Sequence, residues 1–231
     1  MVIGNGMVAK SFAQYLELDD VVVFASGVSN SKLAIESEFE KEKNLLKKVL
    51  QEHKGKKIVY FSTFNLYDPV EKKSPYCLHK LDMEEFISAN VPIYNIFRLG
   101  HVAGQSAQQY TILSFLYNAI NDGTLFKLWK YASRNIIDID DISKICSYIS
   151  DNDLYLNQIT NICNSKNSTI VEIVAILERM LNKNGNYSLL DEGGCPEVDN
   201  TKIRSIAKNL GIHFGDSYVE KVIFKYYGTT I

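Results

Sequence analysis

Excess basic charge, proline and long apolar runs are all scarce in this chain, and each scarcity narrows what it can be. Lysine and arginine total 25 against 27 acidic residues, a formal charge of −2, so no basic field is present to hold nucleic acid. No apolar run approaches the roughly 20 residues that cross a bilayer, and no membrane partner is expected. Met1-Val2-Ile3 runs straight into glycines, unlike the charged-then-apolar leader of an exported chain. The four cysteines (Cys77, Cys146, Cys163, Cys195) are scattered without a CxxC pair. That predicts a reduced, cytoplasmic chain without a disulfide framework or structural zinc, and no metal site is expected. Only four prolines occur in 231 residues, with no low-complexity segment or internal repeat, so nothing reads as a linker. What is present, 46% hydrophobic and 23% charged residues, is ordinary globular composition, long enough to bury a sizeable core.

Alternating strand and helix patterns fill the first half. Residues 1–3 read as the end of a buried strand, followed by a glycine turn and a helix to about Leu18. Val21 to Ala25 is a continuous apolar run, the mark of a strand covered on both faces, and it ends in the small-residue loop Ser26 to Ser31. Glu36 to Glu52 is a charged helix with apolar positions at Phe39, Leu45, Leu46, Val49 and Leu50, closed by Lys54-Gly55. The strand Ile58–Phe61, a helix from Tyr76 to Ala89 and the strand Ile93–Phe97 follow. This alternation predicts parallel strands joined by right-handed helical crossovers. Beyond it, Tyr110–Asn121 has helical spacing and Ile136–Ile139 reads as a strand, with Asp140 or Asp141 placed to cap the next helix. Thr160–Asn164 reads as a short strand, Ser168 as the cap of a helix to Leu181, and the tail from Asp199 as one further helix with an aromatic end.

Gly4-Asn5-Gly6-Met7-Val8-Ala9 is a GxGxxA pattern between a strand and a helix. The first glycine permits a tight turn, the second lets a pyrophosphate approach the backbone, and Ala9 lets helix pack on strand. Phosphates would meet the free N–H groups of the helix start; a purely structural turn is the alternative. The usual companion, an acid ending a second strand about 20 residues on, is missing, because that strand ends in Ala25-Ser26-Gly27. No arginine stands there for a 2′-phosphate either, so NAD and NADP both remain open.

Further on, Tyr76 and Lys80 lie four apart behind Pro75 at a helix start, one turn apart on one face. That spacing suits a tyrosine acid/base. A phenol ordinarily titrates near 10, so use at neutral pH needs about 3 units of phenolate stabilisation, which a nearby cation would supply. Thr63, at the end of the preceding strand, could orient the same substrate oxygen. With 14 tyrosines in the chain, one YxxxK is also expected by chance. His79 projects about 100° from each neighbour along the helix and reads as solvated. His101 follows a strand's C-terminal edge, where ligands of open α/β sheets gather. Nothing in the sequence suggests an activated thiol at Cys77, and Trp129 reads as a core contact.

Taken in order, the GxGxxA turn, Ser62-Thr63 with Leu66-Tyr67, Pro75-Tyr76 to Lys80 with Glu84 or Glu85, Phe97-Arg98 with Gly104, and Arg134 to Asp141 span nearly the whole chain. In these segments the chain resembles the extended short-chain dehydrogenases/reductases of the sugar-nucleotide epimerase/dehydratase family. The resemblance implies an α/β fold: a Rossmann-like parallel sheet flanked by helices, with a small C-terminal substrate-binding portion. It implies a dinucleotide-binding part over residues 1–99 and a substrate-binding part over 100–231, with 136–150 returning to the first. By the same resemblance Tyr76 is the acid/base, Lys80 its partner on the cofactor ribose, and Thr63 a hydrogen-bonder to substrate. Gly4, Gly6, Met7, Ala25, Ser26 and Lys80 would hold NAD or NADP. Ser62, Thr63, His101 and Arg134 would contact a nucleotide sugar, Arg134 through its diphosphate; a surface pair with Asp138 is the alternative for Arg134. A homodimer through the Glu36–Glu52 and Tyr76–Ala89 helices is also implied.

The departures matter as much. The loop Ser26–Ser31 resembles the one after the family's fourth strand, not its second, so the chain lacks about one βαβ unit, including the adenosine site. Phe64-Asn65 replaces the acidic pair of the dehydratases, which disfavours 4,6-dehydration and leaves epimerisation or ketone reduction. The asparagine often found on the helix before Ile58 is replaced, with Glu38 as the candidate. A non-catalytic ligand-sensing or scaffold protein is the competing expectation.

Overall fold

The computed structural model describes residues 1–28, 35–105 and 111–228. Eleven strands and eight α-helices occur among them. The first half comprises β1 (Val2–Ile3), α1 (Met7–Ser11), β2 (Val21–Phe24), α2 (Glu36–Glu52), β3 (Lys57–Thr63), α3 (Pro75–Asn90) and β4 (Tyr94–Leu99). Next come β5 (His101–Ala103), α4 (Ile112–Asp122), β6 (Phe126–Trp129), β7 (Ser133–Arg134), β8 (Ile136–Asp138) and α5 (Ile139–Asp151). The rest is β9 (Gln158–Ile162), β10 (Ser168–Thr169), α6 (Ile170–Leu181), β11 (Tyr187–Leu190), α7 (Thr201–Asn209) and α8 (Tyr218–Tyr227).

A five-stranded sheet in the order β1-β2-β3-β4-β9 forms the centre, and every pairing in it is parallel. Its central strands are runs of Val, Ile, Phe and Tyr because both faces are covered. Alternate residues serve two cores. Val21, Val23, Val59, Phe61 and Phe97 face one cluster with Phe12 and Tyr15, just after α1, and Ile142, Ile145 and Ile149 of α5. Val22, Phe24, Ile58, Tyr60 and Ile96 face the other, with Leu46 and Val49 of α2 and Met83 and Ile87 of α3.

This layering departs from the expected uniform hand. Both β1–α1–β2 and β2–α2–β3 step in the same direction across the sheet, yet α1 lies on one face and α2 on the other. The two connections therefore have opposite hands. With the second right-handed, as nearly all are, the first is left-handed. A doubly wound sheet ordinarily makes its ligand crevice where the strand order reverses and neighbouring loops leave toward opposite faces. Here the order does not reverse and β1 is an edge strand among the described residues. The loops after β1 and β2 nevertheless lead to helices on opposite faces, the arrangement from which such a crevice is built.

Smaller pieces extend the C-terminal edges of these strands: β5 with β8 in parallel, β6 with β11 in parallel, and β7 with β10 antiparallel. Of these, β5, β6, β7, β10 and β11 are too short to show periodicity and depart from the expected element order. Local caps also differ from expectation. Asp138, not Asp140 or Asp141, caps α5 by accepting from Asp140 N at 2.9 Å. Thr169, not Ser168, caps α6 in a reciprocal box with Glu172. The first helix stops at Ser11 and continues only as a 3-10 turn to Tyr15. The aromatic tail is itself helical, so the region after Asp199 holds two helices. Tyr110 and the loop from residue 29 lie outside the described residues. No helix among those described is long and apolar enough to cross a membrane.

Candidate active site

The glycine turn and the loop after β2 form the crevice's two walls. Gly4 has φ +127°, and a Cβ there would stand 2.4 Å from the Ala25 carbonyl oxygen. Glycine is therefore required for β1 to end against Ala25 and Ser26. Gly6 differs: its φ is −73°, and a Cβ there would meet nothing within 4 Å. The backbone at Gly6 is open, as an approaching pyrophosphate needs. Met7 packs against Gly104, where an added Cβ would lie 2.5 Å from its sulfur.

Across the crevice stands the end of β3. Ser74 caps α3 by accepting from Cys77 N at 3.2 Å, and Pro75 occupies the first turn, which aims Tyr76 and Lys80 back at the strand. Tyr76 is buried, with Thr63 near enough to act on its phenol. Lys80 Nζ donates to Glu42 Oε1 at 2.8 Å and to the Tyr60 hydroxyl at 3.1 Å. Tyr60 donates to the same Glu42 oxygen at 2.9 Å. The other oxygen, Oε2, accepts from Val28 N at 3.0 Å and lies 2.9 Å from His79 Nε2. A Cβ on Gly27 would lie 2.7 Å from Glu42 Oε1, so the crevice loop rests directly on this carboxylate. Thr63, Tyr76 and Lys80 are thus brought together, one loop away from Gly4.

Charge in the cluster is balanced. Burial works against ionised Glu42, but Lys80, His79 and the Val28 N–H outweigh it and hold the carboxyl at about 2. Burial also disfavours the Lys80 ammonium, yet Tyr60 and Glu42 keep its pKa raised. The Tyr76 phenol is not depressed as the Tyr–Lys spacing predicts. Burial pushes it above its ordinary 10, and Glu42 and Cys77 add to the rise, against the pull of Lys80 and Thr63. Burial likewise raises the Cys77 thiol.

Two expectations about neighbours are corrected here. His79 is buried, stacked on Phe39 at 4.5 Å between ring centres, because α3 is covered by both β3 and α2. Glu38 faces solvent and pairs with Lys41; the acid that reaches the site from α2 is Glu42. The sequence reading missed Glu42; the signal for it is its place on one stripe with Leu46 and Val49, at steps of four and three residues as a buried helix face requires.

Of the expected substrate contacts, Ser62 does not share a face with Thr63. It donates to Glu84, which Arg98 also grips through Nε at 2.9 Å and Nη2 at 2.6 Å. Arg98 continues to Tyr67 and Tyr67 to Asn161, so Ser62 belongs to a buried brace between α3, β3, β4 and β9. Arg134, on β7, pairs with Asp68 at 3.4 Å. Asp138, the surface partner expected as the alternative, instead binds Lys225 and Tyr226 of α8. His101, on β5, keeps Nδ1 buried without a partner among the described residues. Burial, reinforced by Arg134, lowers its pKa to about 3, so it is a neutral ring at ordinary pH. Arg134, Asp68 and His101 lie past the strand ends, on the side toward the C-terminal part of the chain.

No family model matches this sequence, and no curated protein does. Solved structures do match in shape. UDP-glucose 4-epimerase of Thermus thermophilus, in complex with NAD, superposes with a TM-score of 0.71 at 15% identity, covering 91% of this chain and 78% of that one. RMD of Pseudomonas aeruginosa, complexed with NADPH, gives 0.73 at 13% identity over 94% of this chain and 84% of that one. The UDP-glucose 4-epimerase of Thermotoga maritima with UDP-glucose gives 0.69 at 15%, over 90% and 75%. At such identities the likeness is one of fold: the chain has the Rossmann-like α/β architecture of these proteins.

Proposed function

We propose that the chain is an NAD(P)-dependent oxidoreductase or epimerase acting on a nucleotide-linked sugar, with Tyr76 as acid/base. The observation that carries this is the convergence of Thr63, Tyr76 and Lys80 beside a glycine turn whose Gly6 backbone is open. When bound, the dinucleotide supplies hydride transfer chemistry. Its pyrophosphate half fits the chain: Gly4, Gly6 and Met7 form the turn, Ala25 and Ser26 the facing wall. Its adenosine half finds no acid at the end of β2 and no strand outside β1 among the described residues, so either NAD or NADP is compatible. Thr63 and Tyr76 would hold the reacting sugar oxygen, while His101 and Arg134 would meet the rest of the substrate, Arg134 at the diphosphate. On this reading residues 1–99 carry the dinucleotide and 100–231 the sugar nucleotide, with 136–150 returning to the first part. The chain would work in the cytoplasm as a homodimer through α2 and α3, and the fold's use in polysaccharide biosynthesis is the natural setting.

The test is a fluorescence titration with NADH and NADPH, with and without UDP-glucose, followed by turnover of Tyr76→Phe. Saturable binding, retained in Tyr76→Phe while turnover is lost, supports the proposal; unchanged turnover refutes the role of Tyr76. One observation favours a second reading, a non-catalytic ligand-sensing or scaffold protein: Lys80, which should face the cofactor ribose, is tied to Glu42. Failure of both dinucleotides to bind would favour that reading.

A further inference from the structure

Glu42 is the most constrained ionisable group near Tyr76 that the resemblance does not account for. All its acceptor positions are filled by four groups from three places: Lys80 and His79 of α3, Tyr60 of β3, and Val28 of the crevice loop. A carboxylate 2.8 Å from an ammonium turns a point charge into a short dipole, whose field fades much faster with distance. Lys80 and Glu42 are the two charges that act most on the Tyr76 phenol, with opposite sign. Held 2.8 Å apart, the two carry no net charge between them.

We propose that Glu42 is a positioning residue that neutralises Lys80, so that Tyr76 stands in the site as a protonated acid and the site takes a nucleotide-linked ketosugar for reduction. This rests on the oxidoreductase reading and narrows it. Reduction consumes a ketone, a reduced nicotinamide and a proton, and yields an alcohol and the oxidised nicotinamide. As the hydride reaches the carbonyl carbon, the C=O π pair moves to oxygen. That oxygen takes the phenolic proton of Tyr76, and the phenolate regains a proton from water. Oxidation of a sugar alcohol, and any epimerisation that begins with it, needs the phenolate at the outset. A lone lysine would supply that phenolate; a neutral pair does not.

The role of Glu42 is tested without turnover, by ¹³C NMR of protein labelled at the tyrosine ring Cζ, with Tyr76→Phe identifying the resonance. In the wild type the Tyr76 signal stays that of a phenol to about pH 10, and Glu42→Gln lowers its midpoint by about one unit or more. If Glu42→Gln does not fold, the double variant Glu42→Gln/Lys80→Met removes both charges, and its Tyr76 midpoint falls within about one unit of the wild type. A wild-type midpoint below about 9, no movement in Glu42→Gln, or a larger rise in the double variant overturns the proposal. The substrate assignment is read at pH 7, with NADH or NADPH and a UDP-4-ketosugar against NAD or NADP and UDP-glucose. Turnover of the ketosugar at least tenfold faster is the result expected; equal or faster oxidation of UDP-glucose overturns it. Failure of both dinucleotides to bind ends the oxidoreductase reading and the substrate assignment with it, while the Tyr76 titration still decides what Glu42 does.

Discussion

Replacing Gly4 and Gly6 by alanine, one at a time, divides the glycine turn into a part that builds the fold and a part that serves a ligand. At Gly4 the backbone sits at φ +127°, a region that costs a residue with a side chain about 1–3 kcal/mol. The new methyl would also lie 2.4 Å from the Ala25 oxygen and 2.7 Å from its carbon. Those are backbone atoms with no rotamer to escape into, so the end of β2 must shift. The shift strains the 2.8 Å bond from Ala25 N to the Ile3 carbonyl, adding about 1–3 kcal/mol of overpacking and lost bonding. Together these give about 2–6 kcal/mol, which for a chain of this size lowers Tm by roughly 5–20 °C. Alanine at Gly6 has ordinary φ and open space, so its stability stays within about 1 kcal/mol of the wild type. Its methyl would instead stand where a pyrophosphate meets the backbone, weakening NADH and NADPH binding by about tenfold or more. Urea or thermal unfolding reads the first effect and the fluorescence titration the second. A Gly4→Ala protein that melts with the wild type, or a Gly6→Ala protein that binds dinucleotide as well, refutes the division.

The brace and the neutral histidine each yield a further expectation. Arg98→Met leaves Glu84 buried without its bidentate partner and should lose about 3–5 kcal/mol in urea unfolding; a loss under about 1 kcal/mol would mean that Glu84 has another way to be satisfied. His101 has a folded pKa of about 3, below the unfolded value near 6.5. Between those values the unfolded chain binds a proton that the folded chain does not. Its contribution is therefore full above about pH 6.5 and is lost as the pH falls, by a few kcal/mol near pH 3. His101→Gln should flatten the stability curve over that interval, and an unchanged slope would contradict a ring held neutral in the fold.

How much was legible varies with the kind of signal. Long, regular elements were plain: α2 begins and ends as its charged pattern says, and β2, β3 and β4 stand where the apolar runs fall. Thr63, Tyr76 and Lys80 could be singled out because strand end and helix turn fix their spacing. Three kinds of feature were not legible. The hand of the first crossover depends on which face α1 chooses, and Phe12 and Tyr15 carry no label for it. The strands β5 to β7, β10 and β11 are two to four residues long, shorter than one reading of an alternating pattern. Glu42 is hidden in a charged run, between Lys41 and Lys43; an acid on a buried stripe is the signal, but the donors that satisfy it come from α3, β3 and a loop. The same holds for Ser62, whose partner Glu84 is 22 residues away.

The helix α8 has a consequence for how this protein is made. Val219, Val222 and Ile223 sit in the same core as β2 and β3. Tyr218 bonds Asp141 and receives the Asp138 N–H, while Lys225 and Tyr226 bind Asp138. A ribosome releases the glycine turn and β2 long before α8, so the apolar seat of these side chains stays uncovered until that helix is made. The nascent chain must therefore wait, with sticky surface showing, for α8 to emerge. A premature stop codon ahead of Tyr218 would leave that surface bare for good, and the shortened product would go to chaperones and proteases.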